Sequence, residues 1–142
     1  MSEYEKKHGD DVVTIFGRKQ ILPPLDTERP ITDKVPEIVT FEMPDRSLLQ
    51  VATNQEILIG RKSKHGDTEV TVDLGAFDGH QHGVSRHHAL VKYLKDTLFI
   101  VDLDSINGTF VNNRRALPTK RYALLDGDEI KLGSLAITIR YG

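Results

Sequence analysis

Cysteine is absent from this sequence, which excludes disulfides, thiol catalysis and cysteine-ligated zinc. Long apolar runs are absent too: none approaches the ~20 residues that span a bilayer. The charged start, MSEYEKKHGDD, lacks the apolar stretch of a secretory signal. A strong charge of either sign is also missing. The 19 Lys and Arg stand against 21 Asp and Glu, for a net charge of −2. That balance argues against bulk nucleic-acid binding by phosphate neutralisation, although a local basic patch remains open. No window keeps a helical apolar period for three turns. The expectation is a cytoplasmic chain with no membrane or nucleic-acid partner, whose 142 residues suit one domain with a single core.

Proline and charge mark the first part of the chain. Four of the six prolines, Pro23, Pro24, Pro30 and Pro36, precede residue 37. Each removes a backbone donor and interrupts regular structure, so residues 1–36 read as a tail or linker, largely extended or disordered. Its one apolar patch, Val12 to Phe16, is free to dock or to add to a sheet edge.

From Glu37 the pattern changes to short runs rich in Val, Ile, Leu, Thr and aromatics, bounded by Gly, Asp, Asn or Pro. They include Ile38 to Phe41, Leu48 to Ala52, Glu56 to Gly60, Val70 to Leu74, Ala89 to Leu94 and Leu98 to Leu103. Phe110-Val111, Tyr122 to Leu125, Glu129 to Leu132 and Leu135 to Tyr141 follow. Ten or eleven such runs at close spacing predict an all-β sandwich or barrel over residues 37–142. The widest gaps between runs, Arg61 to Glu69 and Gly75 to His88, are candidate functional loops.

Three short motifs occur in order: Gly60-Arg61, then Ser85-Arg86-His87-His88, then Asn107-Gly108-Thr109 with Val111-Asn112. Asp102-Leu103 precedes the last, and Leu125-x-Gly-Asp-x-Ile follows it. Each motif is weak alone. Together they resemble the forkhead-associated (FHA) domain, here of the small stand-alone, bacterial type, over about residues 37–142. The resemblance implies an eleven-stranded antiparallel β-sandwich of FHA/SMAD-like form that binds phosphothreonine peptides with loops at one end. It implies no enzyme activity and no cofactor. Expected partners are phosphothreonine-containing proteins, Ser/Thr kinases or their substrates among them, with the chain acting as a signalling adaptor.

The resemblance assigns Arg61 and Ser85 to the phosphate, Arg86 to the phosphate or peptide backbone, and Asn107 to the peptide main chain. Chemistry fits these roles. A guanidinium offers a planar fork of donors, a serine adds a short hydroxyl donor, and an asparagine amide both donates and accepts. His88 is expected to brace the binding loops, with Gly60, Ser105, Gly108, Thr109 and Asn112 supporting them. Lys62 and Lys64, in the basic stretch Arg61 to His65, and Ile106 are expected to influence peptide choice. Ile106 stands where the family often carries a hydroxyl, so only its backbone N–H matches the pattern.

Other readings are weaker. His80, His82, His87 and His88 lack the spacing of a known zinc type, so no metal is expected. Ser85 and His88 lack the strand–turn–helix context of a hydrolase triad. A phosphate-independent scaffold built on the same sandwich is the alternative, with an autoinhibitory tail as one form of it. Thr14, Thr27 and Thr32 are the tail threonines that phosphorylation could make self-binding.

Overall fold

The structure, a computed structural model, describes residues 12–15, 17–29, 34–63 and 70–142. Lys64 and Thr32 lie outside them. Alternation of apolar and polar residues sets the strands that face the core on one side only. Glu129–Leu132 and Leu135–Arg140 bury every second side chain, as a half-solvated antiparallel pair requires. Among the described residues eleven strands follow residue 37: β4 (Ile38–Glu42), β5 (Leu48–Ala52), β6 (Ile57–Gly60), β7 (Val72–Asp73), β8 (His87–Leu94), β9 (Thr97–Asp102), β10 (Thr109–Val111), β11 (Arg114–Ala116), β12 (Arg121–Ala123), β13 (Glu129–Leu132) and β14 (Leu135–Arg140). The tail adds β1 (Val12–Ile15), β2 (Arg18–Ile21) and β3 (Leu25–Asp26).

Two six-stranded sheets form the sandwich, in the orders β11-β10-β13-β14-β4-β5 and β3-β12-β9-β8-β6-β7. Their inner faces meet in one core that includes Phe41, Ile57, Ile59, Val91, Ile100, Ile130 and Ile137. The sandwich is not wholly antiparallel. The edge pairs β3–β12 and β6–β7 are parallel, and each joins only two residues. Val70 to Leu74 pairs only at Val72–Asp73 and then turns into a 3-10 turn at Gly75–Phe77.

The second sheet has apolar residues on both faces. Ala89, Val91, Leu98 and Ile100 point to the main core, while Leu90, Phe99 and Val101 build a second cluster on the outer face. Leu22, 5% exposed, and Leu25 cover that cluster. The expected tail or linker over residues 1–36 is therefore extended, but its stretch from Leu22 to Arg29 lies against the sandwich. β3 runs parallel to β12, the Arg121 N–H donates to the Pro24 carbonyl at 3.0 Å, and the Arg29 fork reaches Asp128 at 2.7 and 2.9 Å. Val12–Ile15, in the apolar patch, pairs with β2 in a hairpin of its own. Thr14 and Thr27 are both exposed.

Candidate functional site

Three chain segments meet at one pole of the sandwich: the end of β6, the turn before β8 and the loop between β9 and β10. Gly60 makes the first junction possible. It pairs with His87 across a bulge, and a Cβ at this position would sit 1.8 Å from the Arg86 carbonyl oxygen. Only glycine permits that approach. The chain then places Arg61 beside the turn. Its N–H donates to the Arg86 carbonyl at 3.1 Å and its Nε to the Val84 carbonyl at 2.8 Å. The half-buried guanidinium is thus fixed in orientation. Among the described residues its two terminal nitrogens have no hydrogen-bond partner, so the outer edge of the fork is open.

His88 ties the Ser85 turn to the Asn107 loop. It is fully buried. Its Nδ1 accepts the Ser85 N–H at 3.0 Å, which requires that Nε2 carry the proton, and Nε2 donates it to the Gly108 carbonyl at 2.8 Å. Burial pushes the His88 pKa below the ordinary 6.5, against the opposing pull of the Gly108 bond and the Asp102 charge. The sign of the pH effect follows. The unfolded chain takes up a proton below 6.5 before the folded chain does, so stability is full above that pH and falls as pH drops toward the lowered folded value. The urea midpoint should accordingly be lower at pH about 5 than at pH about 7.5, and His88→Gln should lose that difference while being less stable at the higher pH.

Asp102 organises the second loop. It is 4% exposed and accepts three bonds, from the Ser105 hydroxyl at 2.5 Å, the Ser105 N–H at 3.1 Å and the Thr109 hydroxyl at 2.7 Å. Ser105 in turn accepts the Gly108 N–H at 3.0 Å. Ser105 and Thr109 therefore face inward and hold the loop's shape. Above them, Asn107 Nδ2 donates to the Gly83 carbonyl at 3.0 Å, and a Cβ on Gly83 would come within 2.5 Å of that amide. The Ile106 N–H points at the Ser85 hydroxyl, 3.4 Å away. The Ile106 side chain is 87% exposed, standing over the same pole.

Arg61, Ser85, Ile106 and Asn107 are thus gathered on one surface, with Gly60, His88, Ser105, Gly108 and Thr109 beneath or between them. Asn112 is not among them. It sits at the far end of β10, in the two-residue turn to β11 where Asn112 and Asn113 both take left-handed φ, 49° and 68°. There its amide donates to Asp128 at 2.9 Å and accepts the Glu129 N–H at 2.9 Å. It supports the opposite pole. Asp102 belongs to the site although the sequence reading gave it no role; its place just before the Asn-Gly-Thr motif was the available signal.

Beside Arg61 lies a groove lined by Lys62, Ser63, Gly75, Asp78, His80, Gln81 and Arg86. Lys62, His80 and Arg86 are exposed. His82 bonds Ser134 at 3.0 Å instead of joining the other histidines. Among the described residues no three His, Asp or Glu cluster as a metal site would need. His88 is turned to the Ser85 backbone and not to its hydroxyl, and Asp102 is turned to Ser105 and Thr109, so the three are not aligned as a triad. Among the described residues no helix is long and apolar enough to cross a membrane.

Comparison with known proteins meets this geometry. The chain is 42% identical to protein FraH of Nostoc sp. (strain PCC 7120) over 62 residues, 44% of this chain and 21% of FraH. It is 41% identical to the FHA domain-containing protein FhaA of Mycobacterium tuberculosis over 58 residues, 41% of this chain and 10% of FhaA. The match thus spans about a fifth of FraH and a tenth of FhaA. Among solved structures, the FhaA FHA domain complexed with the intracellular domain of Rv3910 superposes with a TM-score of 0.56 at 30% identity, over 72% of this chain and 99% of that one. An FHA domain from a structural and functional study of phosphothreonine-dependent FHA interactions gives 0.58 at 29% identity, over 74% and 97%. The FHA domain model matches residues 57–133, which run from the first residue of β6 to the turn after β13 and take in the whole pole. This chain belongs to the FHA domain family.

Proposed function

We propose that the chain binds phosphothreonine peptides at this pole and works as a cytoplasmic adaptor in Ser/Thr kinase signalling, without catalysing a reaction. FHA domains are phosphothreonine-peptide binding modules. The observation that carries the reading is the convergence of an oriented, outward-facing guanidinium, a hydroxyl and a backbone N–H on one surface. In this reading Arg61 holds two phosphate oxygens, and Ser85 and the Ile106 N–H hold the third. Asn107 exchanges its Gly83 bond for the peptide main chain. Arg86 lies at the rim, beside the phosphate. The buried His88 and Asp102 keep the donors in place before ligand arrives, which lowers the ordering cost of binding.

Phosphothreonine carries a charge of about −1.5 to −2 near neutral pH. Charge-assisted hydrogen bonds contribute roughly 1.5–3 kcal/mol each. Two or three of them separate a phosphorylated from a plain threonine by on the order of 100-fold or more. A pocket closed around the threonine methyl would add about 0.8 kcal/mol over phosphoserine. Calorimetric titration of one peptide in three forms tests this. Phosphothreonine should bind most tightly, phosphoserine several-fold more weakly, and threonine not measurably. Equal affinity for the phosphorylated and plain forms would refute the proposal. The FhaA FHA domain's complex with an intracellular domain supports looking for partners among cytoplasmic segments of signalling proteins.

A further inference from the structure

The groove beside Arg61 carries more positive charge than one phosphothreonine needs. Arg61 forms the wall it shares with the Ser85 turn. Beyond that wall the groove presents Lys62 and Arg86, both exposed, with His80, Gln81 and Ser63 as further polar groups. Among the described residues two carboxylates lie nearby. Asp73 is occupied by the backbone, accepting the Lys62 N–H at 3.0 Å and the Gly75 N–H at 2.9 Å on one oxygen. Asp78 is the carboxylate on the groove itself. Among the described residues neither Lys62 nor Arg86 has an ion-pair partner. Ser85, Ile106 and Asn107 do not line the groove, so an extended peptide anchored at Ser85 and held by Asn107 on one side would cross the groove on its other side.

We propose that this groove reads a second acidic group of the same peptide, an Asp or Glu carboxylate or a further phosphate, on the flank of the phosphothreonine that lies away from Asn107. The inference rests on the phosphothreonine reading and sharpens it from any phosphothreonine peptide to one with an acidic flank. Lys62 and Arg86 are the residues that recognise the second group. Each is a long exposed cation on a fixed stretch of backbone, since the Lys62 N–H is held by Asp73 and the Arg86 carbonyl by the Arg61 N–H. Attraction across an open groove is screened by salt and modest per pair, so it tunes affinity on top of the phosphate anchor.

The test is a peptide set built on one phosphothreonine sequence, neutral on both flanks, into which a pair of Asp residues is moved along either flank. A parallel arm carries a second phosphothreonine in place of the Asp pair. Acids on one flank should tighten binding about 5- to 10-fold at low salt and about twofold or less at ~0.5 M NaCl, and the same acids on the other flank should not. In a Lys62→Ala variant the gain should fall to about twofold or less while the neutral phosphothreonine peptide binds nearly as before. A larger gain from the second phosphate than from the Asp pair assigns the groove to phosphate; an equal gain assigns it to carboxylates. A gain on neither flank, or one that Lys62→Ala leaves undiminished, overturns the inference and leaves the phosphothreonine reading standing. No binding of the neutral phosphothreonine peptide overturns both.

Discussion

Arg61→Ala should bind a phosphothreonine peptide at least ~100-fold more weakly than the unaltered chain, with little change in its unfolding transition. The two expectations separate because the side chain makes one internal bond and keeps its outer edge for ligand. Loss of the Nε bond to the Val84 carbonyl costs about 1 kcal/mol of stability. Loss of two charge-assisted bonds to a dianion costs about 3–6 kcal/mol of binding. Arg61→Lys tests the geometry. A lysine restores the charge but is a single point donor, without a planar fork that can grip the Val84 carbonyl and two phosphate oxygens at once. It should recover only part of the affinity, remaining about 10-fold or more below Arg61. Fluorescence anisotropy with labelled peptide measures both variants. The Arg61→Ala and unaltered chains should not differ toward the unphosphorylated peptide. A large fall in the unfolding midpoint of Arg61→Ala would mean that Arg61 acts on the fold and not on the phosphate.

Much of the fold and of this pole was legible because its signals are local. The alternation in β13 and β14 and the Gly-Arg pair at a strand end can be read from a few residues. So can the hydroxyl and histidine three apart, and the Asn-Gly turn. What escaped depends on partners distant in sequence. β3 is two residues long and pairs with β12, far along the chain, so nothing in Leu25-Asp26 announces a strand. Its cause was nevertheless visible elsewhere. Continuous apolar stretches in β8 and β9 mean burial on both faces, and the second face is covered in part by Leu22 and Leu25 of the tail. β11 was missed because Arg114 and Arg115 face water on an edge strand. Its pairing with β10 is set by the Asn112-Asn113 turn, whose two left-handed residues suit a tight hairpin. The same turn explains why Asn112 does not support the binding loops. β10 is only three residues long, but it carries the chain from Thr109 at one pole to Asn112 at the other. Asp102 was visible in the motif, yet its role as acceptor for Ser105 and Thr109 needs the loop's closed shape.

The largest loss of stability is expected from Asp128→Ala, at the pole opposite the proposed peptide site. Asp128 is 4% exposed and gathers three donors besides its charge partner's second nitrogen. Arg29 reaches both oxygens at 2.7 and 2.9 Å, the Leu125 N–H donates at 2.7 Å and Asn112 Nδ2 at 2.9 Å. Burial alone would raise the Asp128 pKa. The Arg29 fork, the Leu125 N–H and Asn112 outweigh it, so the carboxyl titrates below its usual 3.8. Removing the carboxylate orphans all of these donors and releases the Leu22-to-Arg29 stretch from its anchor. Breaking such a pair from the buried side costs about 3 kcal/mol or more, a fall of about 10 °C in the thermal midpoint. Arg29→Ala should cost less, about 1 kcal/mol, because Arg29 is one-third exposed and Asp128 keeps its other two donors. A double-mutant cycle should show strong coupling between the two, while phosphopeptide affinity measured below the midpoint stays within about twofold, since the residues act at the far pole. The pH dependence carries the same sign. The contribution is complete above 3.8, the unfolded value, and is lost as pH falls through the lower folded value. The His88 contribution begins to fail below 6.5 and this one only below 3.8, so acid should weaken the chain in two stages, and Asp128→Ala should remove only the later one. A chain beginning at Glu37 should reproduce the Arg29→Ala loss and exceed it. It lacks Arg29 and also uncovers Leu90, Phe99 and Val101 on the outer face of the second sheet. If that shortened chain melts at the same temperature as the full one, the Leu22-to-Arg29 stretch is a bystander and not part of the folded unit.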